Sequence, residues 1–348
     1  MKRLGGVYDK IYNFENLLAA HKNASKGKSH YSQVQKVNKN LENSLLYIQN
    51  LLKSKSYKVS PYKVQKIIDN GKERELYKLP YYPDRIIQWA IMLQIENTIT
   101  KTLCYHTCAS IKGRGISRAV KLSKKYTKLE NQCKFCLKID IKKFYPNIDK
   151  EILKNALRLK FKDKDLLWLL DLIIDSYPNE RGLPIGSYLS QYLANFYLSK
   201  FDHWLKETLK LRYVVRYMDD ICVYSDNKPH LHAVLAQMRE YLRDNLKLTI
   251  KENYQIFPTR VRGVDFVGYR FFGAFTLLRK SIIKKIKKRV KIINKAVGED
   301  KLEFMNSFYS YMGFLKQGNT RRFFGKYMRK IDIFLKRSIG KKPTRFKE

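Results

Sequence analysis

No stretch of about 18 uncharged apolar residues occurs in this chain, so a membrane-crossing helix is not expected. The start, Met1-Lys2-Arg3-Leu4-Gly5, lacks the apolar core of a secretory signal and no lipidation motif closes the sequence, which together point to a soluble, cytoplasmic protein. Cysteine is limited to five residues, an odd set, and thiols stay reduced in that compartment, so a disulfide framework is not expected. No internal repeat is found. Acidic residues are the most telling shortage: 31 Asp and Glu face 71 Lys and Arg, leaving a formal charge of +40 that far exceeds what solubility requires. A polyanion is the natural counterpart, and 25 Tyr with 18 Phe offer stacking surfaces beside the cations, so nucleic acid fits better than a membrane.

What is present begins with size. At 348 residues and 44% hydrophobic content the chain can bury a real core and divides naturally into two or three subdomains. Its most informative segment is Tyr217-Met218-Asp219-Asp220, two adjacent carboxylates between runs that read as strands, 213–216 and 221–224. Desolvating an ionised carboxylate without a partner costs several kcal/mol, so a divalent cation or a basic side chain is expected there. Phe135, Leu137 and Ile139 alternate as on a strand that ends at Asp140, supplying a third acid. Asp pairs at turns commonly just cap backbone groups, but with Asp140 the segments resemble a polymerase palm. Cys104, His106, Cys108, Cys133 and Cys136 superficially suggest zinc ligands. Cys136 leads directly into the Asp140 strand, where side chains three apart face oppositely, and buried free thiols are the expectation.

Residues 7–24 and 31–53 carry helical spacing, and 64–68 meets 74–79 across Asp69-Asn70-Gly71, a strong hairpin-turn signal. Lys72 and Arg74 follow that turn on one strand face, either as a grip for a triphosphate or as an ordinary solvated edge. Pro83 opens a helix over the residues that follow, and Lys112-Gly113-Arg114-Gly115 is either a phosphate-approaching loop or a plain turn. Asp149 fits the N-cap of a helix through Leu159. The tight loop Gly182-Leu183-Pro184-Ile185-Gly186-Ser187 opens a helix running to about Leu209, and 228–246 is a further amphipathic helix. From Arg279 to Lys295 nine Lys or Arg occur with no acid while Ile282, Ile286, Val290, Ile293 and Val297 keep helical spacing. Such a helix suits a nucleic-acid-tracking stripe better than a membrane surface. Residues 304–315 and 321–335 suggest two more helices before a basic tail from Lys341.

Taken in order, Lys72 with Arg74, Arg85, Asp140, the Leu-Pro-Ile-Gly loop, Tyr-Met-Asp-Asp and Gly263-Val264-Asp265-Phe266-Val267-Gly268-Tyr269 resemble the motif series of reverse transcriptases over about residues 60 to 315. Within that superfamily the likeness is to enzymes of diversity-generating retroelements, which carry Ile-Gly-x-x-x-Ser-Gln where retroviral, retron and intron enzymes usually have Gln-Gly-x-x-x-Ser-Pro. Ile185-Gly186 through Ser190-Gln191 follows the first pattern. Tyr8-Asp9-Lys10-Ile11, Glu15-Asn16-Leu17, Leu277-Leu278-Arg279-Lys280-Ser281 and Tyr311-Met312-Gly313-Phe314-Leu315-Lys316 extend the likeness, with no maturase, endonuclease or RNase H segment left to assign.

The resemblance implies an α+β right-hand polymerase: amino-terminal helices and fingers over 1–132, a palm over 133–270 whose antiparallel sheet carries the Tyr-Met-Asp-Asp hairpin and which holds a fingers insertion around 150–190, and a basic helical thumb over 271–348. It implies two Mg²⁺ ions, replaceable by Mn²⁺, on Asp140, Asp219 and Asp220. Lys72, Arg74, Tyr145, Ile185, Gly186 and Gln191 would bind the nucleotide, Tyr145 as steric gate against a ribose and Ile185 in place of the usual glutamine, a change linked in the family with misincorporation opposite adenine. Arg114, Gly268, Tyr269, Arg279 and Lys280 would face primer and template. Expected partners are template RNA, the RNA/DNA hybrid, dNTPs, a small basic accessory protein or a noncoding RNA, and a homo- or hetero-oligomeric assembly. Error-bearing cDNA synthesis in a retroelement is the leading function; an antiphage defence reverse transcriptase and a silent RNA-binding scaffold are the alternatives. Lys251, near the position where polymerases often carry a proton-donating lysine, does not align cleanly and has no role assigned.

Overall fold

The computed structural model describes residues 3–69, 72–295, 308, 311–323, 325 and 327. Two compact units divide the chain. The first combines residues 1–111, 140–211 and 236–252, and the second 112–139, 212–235 and 253–348.

Helices dominate the first unit. Numbered along the chain, they are α1 (Tyr8–Tyr12), α2 (Phe14–Ala24), α3 (Ser32–Lys39), α4 (Leu41–Lys53), α5 (Ile86–Thr100), α7 (Phe144–Asn147), α8 (Lys150–Lys160), α9 (Lys164–Asp175), α10 (Tyr188–Tyr197) and α11 (Ser199–Glu207). α5 is apolar nearly all round and is accordingly a core helix: Ile86, Ile87, Ala90, Ile91, Met92, Ile95 and Ile99 are buried, with α1, α2 and α10 packed on it. The two amino-terminal helical runs expected from periodicity, 7–24 and 31–53, are each interrupted. Asn13 separates α1 from α2, its side chain accepting from Glu15 N at 2.9 Å, and Asn40 separates α3 from α4. Asparagine competes for backbone groups and so starts helices better than it continues them. The expected helix to Leu209 likewise breaks at Leu198. Asp149 caps α8 through Ile152 N at 3.0 Å, as its position indicated.

Two strands of this unit, β1 (Lys63–Asp69) and β2 (Lys72–Lys78), form an antiparallel ribbon in which Asp69 pairs with Lys72 and Ile67 with Arg74. The intervening Asn70-Gly71 lies outside the described residues, as does most of the two helices expected over 304–315 and 321–335, of which 308, 311–315, 321–323, 325 and 327 are helical. A short strand, β3 (Thr107–Cys108), completes the unit's elements.

The second unit is built on a sheet. Its strands β4 (Phe135–Asp140), β5 (Tyr213–Tyr217), β6 (Asp220–Ser225) and β7 (Gln255–Pro258) run in the order β5-β6-β4-β7. Their central residues are buried, and α6 (Ile116–Lys128) packs on β5, with the Tyr126 ring edge-on to Tyr213 and Tyr224 at 5.4 and 5.7 Å. A helix, α12 (Lys228–Leu246), leaves β6 and crosses from the second unit into the first. After the short α13 (Thr259–Arg262), a second small sheet joins β8 (Val264–Phe266), β9 (Tyr269–Phe271) and β10 (Thr276–Leu278), which leads into α14 (Lys280–Lys295). α14 buries Ile286, Val290 and Ile293 and carries its lysines on the remaining surface. All five cysteines are free thiols, four of them buried, and burial pushes Cys133 up to about 12.

Candidate active site

The Tyr-Met-Asp-Asp segment is a two-residue hairpin turn. Tyr217 pairs with Asp220 across it and the register continues through Arg216–Ile221, Val215–Cys222 and Val214–Val223. Both strands are buried continuously along their centres, while Asp219 and Asp220 stay half-exposed at the tip. Met218 sits in the left-handed region at φ 55°, a conformation unusual for a residue with a side chain. Beneath the turn lies Arg216, with 0% of its surface exposed, and its Nη1 donates to the Met218 carbonyl at 2.9 Å. Sequence reasoning passed over this arginine because it stands in an apolar run. The signal that marks it is the charge itself, since a cation between buried valines must be bonded.

Asp220 faces a cation from the neighbouring strand: Lys138 Nζ lies 3.2 Å from its Oδ1, both groups about a quarter exposed. Burial alone would lower the Lys138 ammonium, but the Asp220 carboxylate, helped by Asp265, outweighs it and holds the lysine above its ordinary value. Lys138 also lines a basic hollow of about 230 Å³ with Gln255, Phe257, Arg262, Asp265 and Arg279. There Arg279 grips one Asp265 oxygen through Nε and Nη2 at 2.8 and 2.5 Å, and its backbone N–H donates to Gly268 O at 2.9 Å.

Asp140 ends β4 and pairs with Lys251 through side chains. The backbone sets this pair: Ile141 bridges Ile250, Lys251 N donates to Asp140 O at 2.8 Å, and Lys142 N donates to Thr249 O at 2.8 Å. Spacing in sequence could not reveal this, because the two residues are joined by a ladder across more than 100 intervening positions. Among the described residues no three acidic, His or Cys side chains are grouped as a metal cage.

Three of the nucleotide-binding candidates, Tyr145, Ile185 and Gly186, stand on two segments joined through their backbones. Gly182 N donates to Ile148 O at 2.7 Å and Leu183 N to Tyr145 O at 3.0 Å, laying the loop that carries Ile185 and Gly186 on the segment that carries Tyr145. Gly182 has φ +102°, and a Cβ there would come within 2.9 Å of the Pro146 backbone, so glycine permits the approach. Ser187 caps α10 and hydrogen-bonds Gln88 at 2.8 Å, fixing the loop's exit, with Gln191 one turn further on. Lys72 and Arg74 occupy alternate positions of β2.

Of the primer and template candidates, Gly268 forms the β8–β9 turn at φ +91°, Tyr269 is fully buried with its hydroxyl donating to Phe314 O at 3.0 Å, Lys280 is exposed at the start of α14, and Arg114 is half-buried before α6.

The α+β fold with this hairpin, together with the family match below, is that of a right-hand polymerase. The fold is shared with telomerase from Candida albicans, solved in complex with the TWJ fragment of telomeric RNA: TM-score 0.50 at 11% identity, covering 84% of this chain and 64% of that one. The sequence profile described as reverse transcriptase (RNA-dependent DNA polymerase) matches residues 63–271, more than half of the chain. The chain therefore belongs to the reverse transcriptase family, and its enzyme class is RNA-directed DNA polymerase. Among its relatives, Retron Ec73 reverse transcriptase of Escherichia coli is 26% identical over 270 residues, 71% of this chain and 81% of the relative. Nuclear intron maturase 4, mitochondrial, of Arabidopsis thaliana is 28% identical over 151 residues, 39% of this chain and 18% of the relative. No helix among the described residues is long and apolar enough to cross a membrane.

Proposed function

We propose that the chain copies a template RNA into error-bearing cDNA as the polymerase of a diversity-generating retroelement, with Asp140, Asp219 and Asp220 as the metal-holding acids. One observation carries the catalytic part: Lys138, two residues before Asp140 on β4, reaches Asp220, so the hairpin acid faces the strand that leads to the third acid. Carboxylate oxygens are hard donors suited to Mg²⁺ or Mn²⁺. Asp140 and Asp220 each already keep a lysine ammonium beside an oxygen, a place where a bound cation would compete with it. The two ions, when bound, would activate the primer 3′-hydroxyl and steady the triphosphate and departing pyrophosphate.

The remaining steps fall to side chains. Lys72 and Arg74 act as fixed positive charges on the triphosphate, strongest where negative charge develops. Tyr145 crowds a ribose 2′-hydroxyl, and the loop laid against its backbone presents Ile185 and Gly186 to the base pair, an apolar surface where glutamine would hydrogen-bond. Gln191 supports that loop from α10. Gly268 and Tyr269 shape the primer-side turn from beneath, while Arg279, Lys280 and Arg114 supply charge to the strands. Fingers, palm and thumb would then divide near residues 132 and 270.

The Ile-Gly-x-x-x-Ser-Gln pattern supports the retroelement reading, with a small basic accessory protein as partner. The retron relative favours a second one, a defence reverse transcriptase that copies a noncoding RNA. Primer extension on natural RNA with Mg²⁺ separates them. Asp219→Ala should lose about a thousandfold or more in rate, several kcal/mol of transition-state stabilisation at tenfold per 1.36 kcal/mol. Equal synthesis by both proteins would remove the polymerase assignment of these acids. In the wild-type products, errors clustered opposite template adenines support diversification, and accurate copying counts against any effect of Ile185.

A further inference from the structure

On the first unit, apart from every residue assigned above, four cations line one open pocket. Arg3, Lys101, Lys160 and Lys162 surround a volume of about 440 Å³ with Leu4, Gly5 and Thr98, and no carboxylate lines it. They come from three directions. Lys101 is the C-cap of α5 and Lys160 the last residue of α8, while Arg3 and Lys162 flank the parallel bridge between Leu4 and Phe161. That bridge is bonded on both sides, Leu4 N donating to Lys160 O at 3.0 Å and Lys162 N to Leu4 O at 2.8 Å, and Arg3 Nη2 donates to Phe161 O at 3.1 Å.

Helix ends favour a nearby cation, which accounts for Lys101 and Lys160 separately. It does not account for Arg3 and Lys162, which a different element delivers to the same hollow. Gly5 contributes to the crowding: a Cβ there would meet the Lys162 stem at 2.8 Å, so the missing side chain makes room for that lysine. Burial and the neighbouring Lys101 charge both lower the Lys160 ammonium, the condition of cations gathered for an anion. The volume exceeds a single phosphate group several times over, since a water molecule takes about 30 Å³ in the liquid.

We propose that this pocket binds consecutive phosphodiesters of an RNA strand, a second hold on the RNA apart from the primer and nucleotide positions. The proposal rests on the reverse-transcriptase reading in that RNA is the polyanion this chain handles. A free phosphate or nucleotide offers the same chemistry, and the test separates these sources.

The test compares the wild-type chain with the double variant Lys101→Gln/Lys162→Gln, both exposed positions, and with a control pair in the last turn of α2 and the turn that follows it, Lys22→Gln/Lys26→Gln. Binding of a fluorescein-labelled RNA hairpin with single-stranded flanks is followed by anisotropy over a series of KCl concentrations. Loss of two phosphate contacts should flatten the slope of log K against log salt by about 1.4, at roughly 0.7 per contact for a single strand, and weaken binding about tenfold at physiological salt. The control pair should leave the slope nearly unchanged, and primer extension on a short primer-template should match wild type in both variants. Equal flattening in the two variants would reveal diffuse electrostatics and overturn the pocket, as would an unchanged slope in the first. Calorimetric titration with inorganic phosphate and dATP reports the other source: saturable binding of these anions together with an unaltered RNA slope makes the pocket a small-anion site and rejects the RNA assignment. A wild-type chain that extends the primer yet holds the hairpin no better than the first variant defeats the pocket alone, whereas one that does neither defeats both readings.

Discussion

Two hairpins of the second unit reverse direction in two residues, and their turns are secured in opposite ways. Between β5 and β6 the turn is Met218-Asp219; between β8 and β9 it is Val267-Gly268. Both use left-handed backbone, with φ 55° at Met218, 43° at Val267 and 91° at Gly268. The first is bonded from below by buried Arg216 and keeps its acids half-exposed. The second is closed by packing, since a Cβ on Gly268 would stand 2.7 Å from the Ile282 side chain and 3.2 Å from Phe314. A turn tied by a polar contact from beneath leaves its outer face available for chemistry, whereas a turn wedged by side chains orders the elements around it.

The largest effect should come from testing the wedge. Gly268→Ala combines left-handed strain with overpacking and should cost about 3 kcal/mol in a urea melt. Gly186→Ala, also at positive φ but with nothing within 4 Å of the added carbon, should cost about 1 kcal/mol, the backbone strain alone. Equal losses at the two sites would mean that the Ile282 and Phe314 contacts do not secure the second turn.

Next in size is the tie beneath the first turn. Arg216→Met keeps much of the buried volume but leaves the Met218 carbonyl without this donor, a loss of about 1–3 kcal/mol. If the arginine positions the acids, kcat should fall with little change in KM for dNTP, because the reacting groups and not the binding surface are displaced. A variant that melts early yet retains wild-type kcat would reduce Arg216 to a structural role.

These two hairpins also mark what was legible in the sequence. Alternation located β4 and apolar runs located β5 and β6, Asp149 announced the start of α8, and the cationic run matched α14 almost residue for residue, because each rests on a local pattern or a single cap. The breaks at Asn13, Asn40 and Leu198 escaped notice, since apolar spacing continues across them; at Asn13 it is the side chain's bond to Glu15 N that starts the new helix. Lys138 was an ordinary lysine in one dimension, and Lys251 stood only near the place of an expected proton donor, with no role assigned. Their pairing with Asp220 and Asp140 depends on which strands become neighbours, and no local pattern encodes that.

A smaller effect distinguishes a tie that protons can loosen. Asp163, like Arg216, uses a side chain to hold backbone: it accepts from Val7 N at 2.6 Å, Tyr8 N at 2.9 Å and Leu166 N at 3.1 Å, capping α9 and anchoring the entry to α1. Burial would raise its pKa, but these N–H donors outweigh it and hold the carboxyl below its ordinary 3.8. A depressed folded value means that the contribution is complete above the unfolded pKa and disappears as pH falls through the lower folded one. Asp163→Asn should therefore cost about 1–2 kcal/mol near neutrality and little once the pH has fallen through the depressed folded value. Parallel stability curves for the two proteins from pH 2 to 7 would show that the cap contributes no ionised hold.

The smallest expected effect bears most directly on why the first turn carries a methionine at all. A left-handed residue with a Cβ costs roughly 1–2 kcal/mol, and Met218→Gly removes that cost. Glycine in turn gives back about 0.5–1 kcal/mol through the freedom it adds to the unfolded chain, so the net gain should be about 0.5–1 kcal/mol. Activity should move the other way. The Met218 carbonyl is the group Arg216 holds, and a glycine there lets the peptide sample orientations in which that bond is broken and Asp219 points elsewhere. A few-fold drop in kcat beside a small rise in melting temperature would identify the strain at Met218 as part of how the acids are held ready. A variant both more stable and fully active would show that the Arg216 tie alone suffices to aim the turn.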